Sequence, residues 1–164
     1  MNGNIAVIGL GQSLRGDDAI GLEVVQAWRA QYPQSAAHED VSVDIVELPG
    51  LHLLTMLSGV RLALIVDAIQ SGAAPGTLRE IKLTDEVDFA SQYRSAHGWG
   101  VGESLALARA LRDTDLPQDV IVLGIEIGDV GMGEGLSPDV AASLPEAVER
   151  LQKLVLEGLK ADTA

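Results

Sequence analysis

The 164-residue chain has no cysteine. That excludes disulfides, thiolate metal sites and a cysteine nucleophile, and leaves His, Asp, Glu, Ser and the backbone for any chemistry. Histidine is scarce as well, with three residues: His38, His52 and His97. Basic residues number 11 against 24 acidic ones, a net charge of −13, and the acids are spread along the chain. Such a surface repels polyanions, which argues against nucleic acid as a partner. No apolar run approaches the roughly 20 residues of a membrane-spanning helix, and no basic segment followed by an apolar one opens the chain. These absences predict a cytoplasmic protein with no membrane association, and internal repeats and low-complexity tracts are missing too.

What is present is ample core material. At 47% hydrophobic composition, residues 1–164 suffice for one domain with layers on both sides of a sheet. Ile5 to Ile8, Val41 to Val46, Leu62 to Val66 and Val120 to Ile125 read as strands. The first, third and fourth are nearly unbroken apolar runs, as strands buried on both faces require. Thr77 to Leu83 alternates after the turn "SGAAPGT" and suits an edge strand, with antiparallel pairing open to it. Between the strands, Ile20, Val24, Ala27 and Trp28 share one helical face, and Val101, Leu105, Ala108 and Leu111 share another. Ser143-Leu-Pro-Glu146 reads as the capped start of a C-terminal helix, with Gln34 to Asp40 as loop and Ala161 to Ala164 as tail. The sum is a doubly wound α/β fold: a three-layer sandwich with a mostly parallel, twisted five-stranded sheet and helices on both faces.

In such sheets ligands gather beyond the carboxyl ends of the strands, where strand order reverses. With order 2-1-3 that point falls between the first and third strands, and the sequence puts acids after both. "GLGQSLRGDD", residues 9–18, ends in Asp17-Asp18, and Asp67 follows "LALIV". The plain reading of Asp17 is a helix cap, worth about 1 kcal/mol. A cap needs one acid, so Asp18 is left to face the crevice. The plain reading of Asp67 is a turn closing its strand. His97, in "SAHGWGVGESL", opens a helical stripe, and a helix start biases an imidazole toward the neutral form that ligates metals. His38 and His52 read as ordinary structural residues. Glu126 ends a strand and reads as a solvated turn acid or a further group facing the crevice. Asp18, Asp67 and His97 would form a mixed oxygen and nitrogen site with open positions, suited to a divalent ion such as nickel or zinc. Spaced 49 and 30 residues apart, they match no local metal motif and depend on the fold to meet.

Four ordered segments, "IAVIGLGQSLRGDDAIGLEVV", "LIVDAIQSGAAPGTL", "SAHGWGVGESLALARAL" and "VLGIEIGDVGMGEGLSPDV", together resemble the NiFe-hydrogenase maturation endopeptidases over nearly the whole chain. The resemblance implies that Asp18, Asp67 and His97 bind metal. It also implies a protease that removes a short C-terminal extension from the hydrogenase large-subunit precursor after nickel insertion. The nickel then belongs to the substrate and is read as a recognition handle; no resident cofactor is implied, and zinc or cadmium could substitute for nickel in vitro. With no Ser-His-Asp constellation evident, the catalytic role falls to Asp18 and Asp67, one of them as general base toward a metal-polarised carbonyl or water. A monomer is expected. The chain departs from the commoner family pattern at Gln12, where many members have asparagine, and at Glu47 to Gly50, "ELPG", in place of a glycine-rich acidic turn. Both bear on which hydrogenase is served.

Two other readings compete. A metal-sensing or carrier module would use the same three ligands without cutting anything. A Rossmann-type nucleotide binder is suggested by Gly9-x-Gly11 after a strand. However, the third fingerprint glycine would fall at Leu14, and the acids that follow oppose a pyrophosphate.

Overall fold

The computed structural model describes residues 4–47, 50–83, 101–110, 115–128 and 130–162. Strands β1 (Ile5–Leu10), β2 (Val41–Val46), β3 (Leu62–Ile69), β4 (Leu78–Leu83) and β5 (Asp119–Glu126) form one sheet in the order β2-β1-β3-β5-β4. All neighbours are parallel except β4, which pairs antiparallel with β5 at the edge. The strand expectations hold, including the antiparallel edge and the switch point between β1 and β3. β1 and β3 are buried along their whole length, which is why their sequences carry no polar alternation.

The helices α1 (Ile20–Gln31), α2 (Pro33–Ala36), α3 (His52–Leu57), α4 (Val101–Ala110) and α5 (Pro138–Asp162) cover both faces. Strand residues alternate between two apolar clusters. Ile5, Val7, Leu64 and Val66 pack with Val24, Trp28, Val148 and Leu151 of α1 and α5. Ala6, Ile8, Ala63, Ile65 and Ile69 pack with Leu53, Leu57, Val101 and Leu105 of α3 and α4. The indole N–H of Trp28 donates to Gln152 Oε1 at 2.9 Å and ties α1 to α5 within the first layer.

Three local expectations are corrected. The C-terminal helix begins at Pro138, not at Ser143. The Ser143 hydroxyl donates to the Val140 carbonyl at 2.6 Å inside the helix, and Pro145 lies in the interior. Ser137-Pro138 carries the same start chemistry six residues earlier, and α5 then runs through Ala161 into the expected tail. One helical turn, α2, forms within the expected loop, with Pro33 at its first position. β3 continues past Val66 to Ile69 because β5 keeps pairing with it, Asp67 to Gly124 and Ile69 to Glu126. Leu111 lies outside the described residues.

Candidate functional site at the β1–β3 notch

β1 and β3 stay in register up to Gly9 and Val66. Leu10 then pairs only with Val46 of β2, so Asp67 is the first β3 residue beyond the β1 pairing. It therefore sits inside a strand rather than directly after one, and the plain reading of a strand-closing turn does not hold. Strand alternation assigns it to the face covered by α3 and α4. The described part of α4, Val101–Ala110, starts four residues after His97 in the chain; His97 itself lies outside the described residues.

The loop after β1 enters the notch through close glycine packing. A Cβ on Gly21 would lie 2.1 Å from the Leu10 carbonyl oxygen and 2.4 Å from that of Val66. Only glycine lets the first turn of α1 rest on both strands. Gly9 and Gly11 serve the same contact from the strand side, where a Cβ would meet the Gly21 and Asp18 carbonyl oxygens at 2.7 and 2.5 Å. The glycines that suggested a nucleotide loop are thus used for helix-on-strand packing. The 3-10 turn Gly16–Ala19 that precedes α1 packs against β3, which brings Asp18 and Asp67 onto adjoining elements at one rim. Both are buried, Asp18 at 1% and Asp67 at 0% relative exposure. A carboxylate held out of water demands hydrogen bonds, a cation or a proton.

The adjacent acid has a different job. Asp17 makes no cap to its own turn, contrary to the expectation. Its Oδ1 accepts the Ser137 backbone N–H and its Oδ2 the Ser137 hydroxyl, at the entrance to α5. Gly16 N–H donates to the Gly133 carbonyl at 2.8 Å, and Gly133 N–H to the Leu14 carbonyl at 3.0 Å. The acid-bearing loop after β1 is thereby stitched to the loop after β5.

Glu126 is neither a solvated turn acid nor a free group in the crevice. It is buried, and its carboxylate accepts the Ser71 N–H at 2.8 Å, the Ser71 hydroxyl at 2.7 Å and the Gly72 N–H at 3.0 Å. It fixes the turn that follows β3. His38 is exposed and its Nδ1 accepts the Asp40 N–H; His52 is exposed at the start of α3. Neither belongs to the notch. Among the described residues no cluster of three His, Asp or Glu side chains is assembled, so the notch contributes two carboxylates. Among them, too, no helix is long and apolar enough to cross a membrane.

The profile of the hydrogenase maturation protease family matches residues 24–154. The chain is 29% identical over 154 residues to the hydrogenase 2 maturation protease of Escherichia coli K12, covering 90% of this chain and 87% of that protein. It is 28% identical over 152 residues to the coenzyme F420 hydrogenase subunit delta of Methanothermobacter thermautotrophicus, covering 90% and 91%. Among solved structures it is similar to an endopeptidase from Escherichia coli, with TM-score 0.77 and 27% identity over 96% of this chain and 94% of the other. It is also similar to the NiFe-hydrogenase maturation protease HybD from Thermococcus kodakarensis, with TM-score 0.71 and 25% identity over 94% and 99%.

Proposed function

This chain belongs to the hydrogenase maturation protease family and is an endopeptidase of that kind, and we propose that it cleaves the C-terminal extension from a nickel-loaded hydrogenase large-subunit precursor. In this reading Asp18, Asp67 and His97 read the substrate's nickel. The observation that carries it is the burial of two carboxylates, Asp18 and Asp67, on adjoining elements at the β1–β3 rim. Two anions so placed favour a cation. Val101 of α4 packs on the face of Asp67 and follows His97 by four residues, and an imidazole from that segment is the third ligand in this reading. Carboxylate and imidazole donors suit a borderline divalent ion, and three of them leave positions open for the ion's own ligands in the precursor.

The hydrolysis follows from the same groups. Water adds its oxygen to the scissile carbonyl carbon, one of the two aspartates takes the proton, and that proton passes to the amine nitrogen as the C–N bond breaks. The precursor contributes the nickel that polarises the carbonyl or the water. No partner other than the precursor is needed, and the enzyme acts as a monomer in the cytoplasm.

The test is mass-spectrometric detection of the released peptide, using precursor with and without nickel. Nickel-loaded precursor should be cut by the wild type and spared by Asp18→Asn and Asp67→Asn. Equal cleavage of nickel-free precursor would remove the recognition role. Full activity in both variants would remove the aspartates from the chemistry.

A further inference from the structure

Among the described residues few large hydrophobic side chains are exposed on this acidic surface, and three of them share one rim. Five are exposed among the described residues: Leu14, Ile45, Leu51, Met132 and Leu156. Leu14 lies in the loop after β1, Leu51 follows β2 and Met132 lies in the loop after β5. These three strands are parallel within the sheet, so the three loops share its carboxyl rim, the rim that carries Asp18 and Asp67. Leu14 and Met132 are 62% and 92% exposed. They are also structurally joined, because the residue after Met132, Gly133, donates its N–H to the Leu14 carbonyl at 3.0 Å. Next to Met132 a cleft of about 280 Å³ opens between the two loops, lined in part by Gly16, Asp17, Met132, Glu134 and Ser137.

We infer that Leu14 and Met132 form an apolar lip on which the large-subunit precursor seats apolar side chains of its own. This rests on the reading of the notch as the nickel-reading site. Charge selects the occupant. The same carboxyl rim carries the buried acids Asp18 and Asp67, the cleft adds Asp17 and Glu134, and the chain as a whole carries −13. A second copy of this chain would bring like charge to that rim, whereas a precursor presenting a cation brings the opposite sign. Contact with Leu14 and Met132 excludes water from around that charge pair and strengthens it, and an unbranched methionine adapts to differing side chains. The lip thus contributes binding energy and no chemistry.

The experiment compares Leu14→Ser, Met132→Ser, the double variant and Leu156→Ser on nickel-loaded precursor. Both lip side chains are exposed, so the fold does not depend on them. Leu156 is a control near the opposite rim, where a Cβ on Gly158 of the same helix would meet Leu62 and Ile5 at the strand starts. The double variant should raise KM about tenfold and leave kcat within about twofold, the signature of lost uniform binding. Leu156→Ser should leave both unchanged. Titration of precursor onto each variant reads the same tenfold loss in Kd without requiring cleavage. Wild-type KM and Kd in the double variant would overturn the lip while leaving the notch reading intact. Loss of a wild-type dimer in the double variant, with KM unchanged, would also overturn it and assign the lip to a second copy. Tenfold weaker binding together with nickel-independent cleavage would keep the lip and sink the nickel handle.

Discussion

Asp17 and Ser137 are joined twice across the rim, by a 2.6 Å bond from the Ser137 backbone N–H and a 2.8 Å bond from its hydroxyl. One carboxylate thereby holds the entrance of α5 against the turn that carries Asp18. Asp17→Ala would leave two inward donors without their acceptor, at a cost of about 2 kcal/mol. Cleavage should fall further than stability, because the neighbouring Asp18 loses its fixed backbone. Asp17→Asn, which retains one acceptor oxygen, should recover part of both. Urea midpoints and the rate of peptide release measure the two effects separately.

Gly21 is the narrowest point in the architecture of the notch. Alanine there would drive a Cβ onto the carbonyl oxygens of Leu10 and Val66, both backbone atoms of central strands. Neither can turn aside, so Gly21→Ala should cost about 3 kcal/mol or more. Gly131→Ala is the matched control, since a Cβ there meets nothing within 4 Å and should leave the urea midpoint unchanged.

Residues like these mark the boundary of what the sequence could disclose. β1, β3 and β5 were legible because burial on both faces leaves unbroken apolar runs, and the rim position of Asp18 and Asp67 followed once the strand order was read. The end of β3 was not legible. Asp67 interrupts the apolar run, yet pairing with Gly124 carries the strand through it, and that pairing is a property of another segment. The start of α5 was ambiguous for a similar reason. Ser137-Pro138 and Ser143-Leu-Pro-Glu146 carry comparable helix-start chemistry, and the bond from Ser137 to Asp17, 120 positions away, distinguishes the first. The roles of Asp17 and Glu126 likewise depend on partners distant in the chain, which no local pattern encodes.

Tyr32 supplies the resolved pH dependence. The Glu149 carboxylate accepts its hydroxyl hydrogen bond and, with some desolvation and like-charge repulsion, holds the phenol above its ordinary value of 10.0. The folded state therefore favours the protonated phenol. Its contribution is complete below the unfolded value, about 10, and is lost as pH rises through the higher folded value. Wild-type urea midpoints should decline across that alkaline window, and Tyr32→Phe should show a shallower decline. Equal slopes for the two proteins would mean that the contact between Tyr32 and α5 contributes nothing to stability.

Glu126 links the far end of β5 to the turn directly after β3, and its effect should reach the site. Its three accepted hydrogen bonds come from Ser71 and Gly72, a few residues beyond Asp67 on the same chain. Glu126→Gln keeps the shape but replaces one acceptor oxygen with an amide that faces the same donors. About 2 kcal/mol of stability should be lost, the scale of a hydrogen bond to a charged group. If the turn is what holds the end of β3 still, kcat should fall while KM stays near the wild-type value, because the Glu126 carboxylate bonds Ser71 and Gly72 and not Leu14 or Met132. A rise in KM alone would instead mean that residues 70–77 contact the precursor, and hydrogen exchange at the Ser71 and Gly72 amides would show whether the turn had opened.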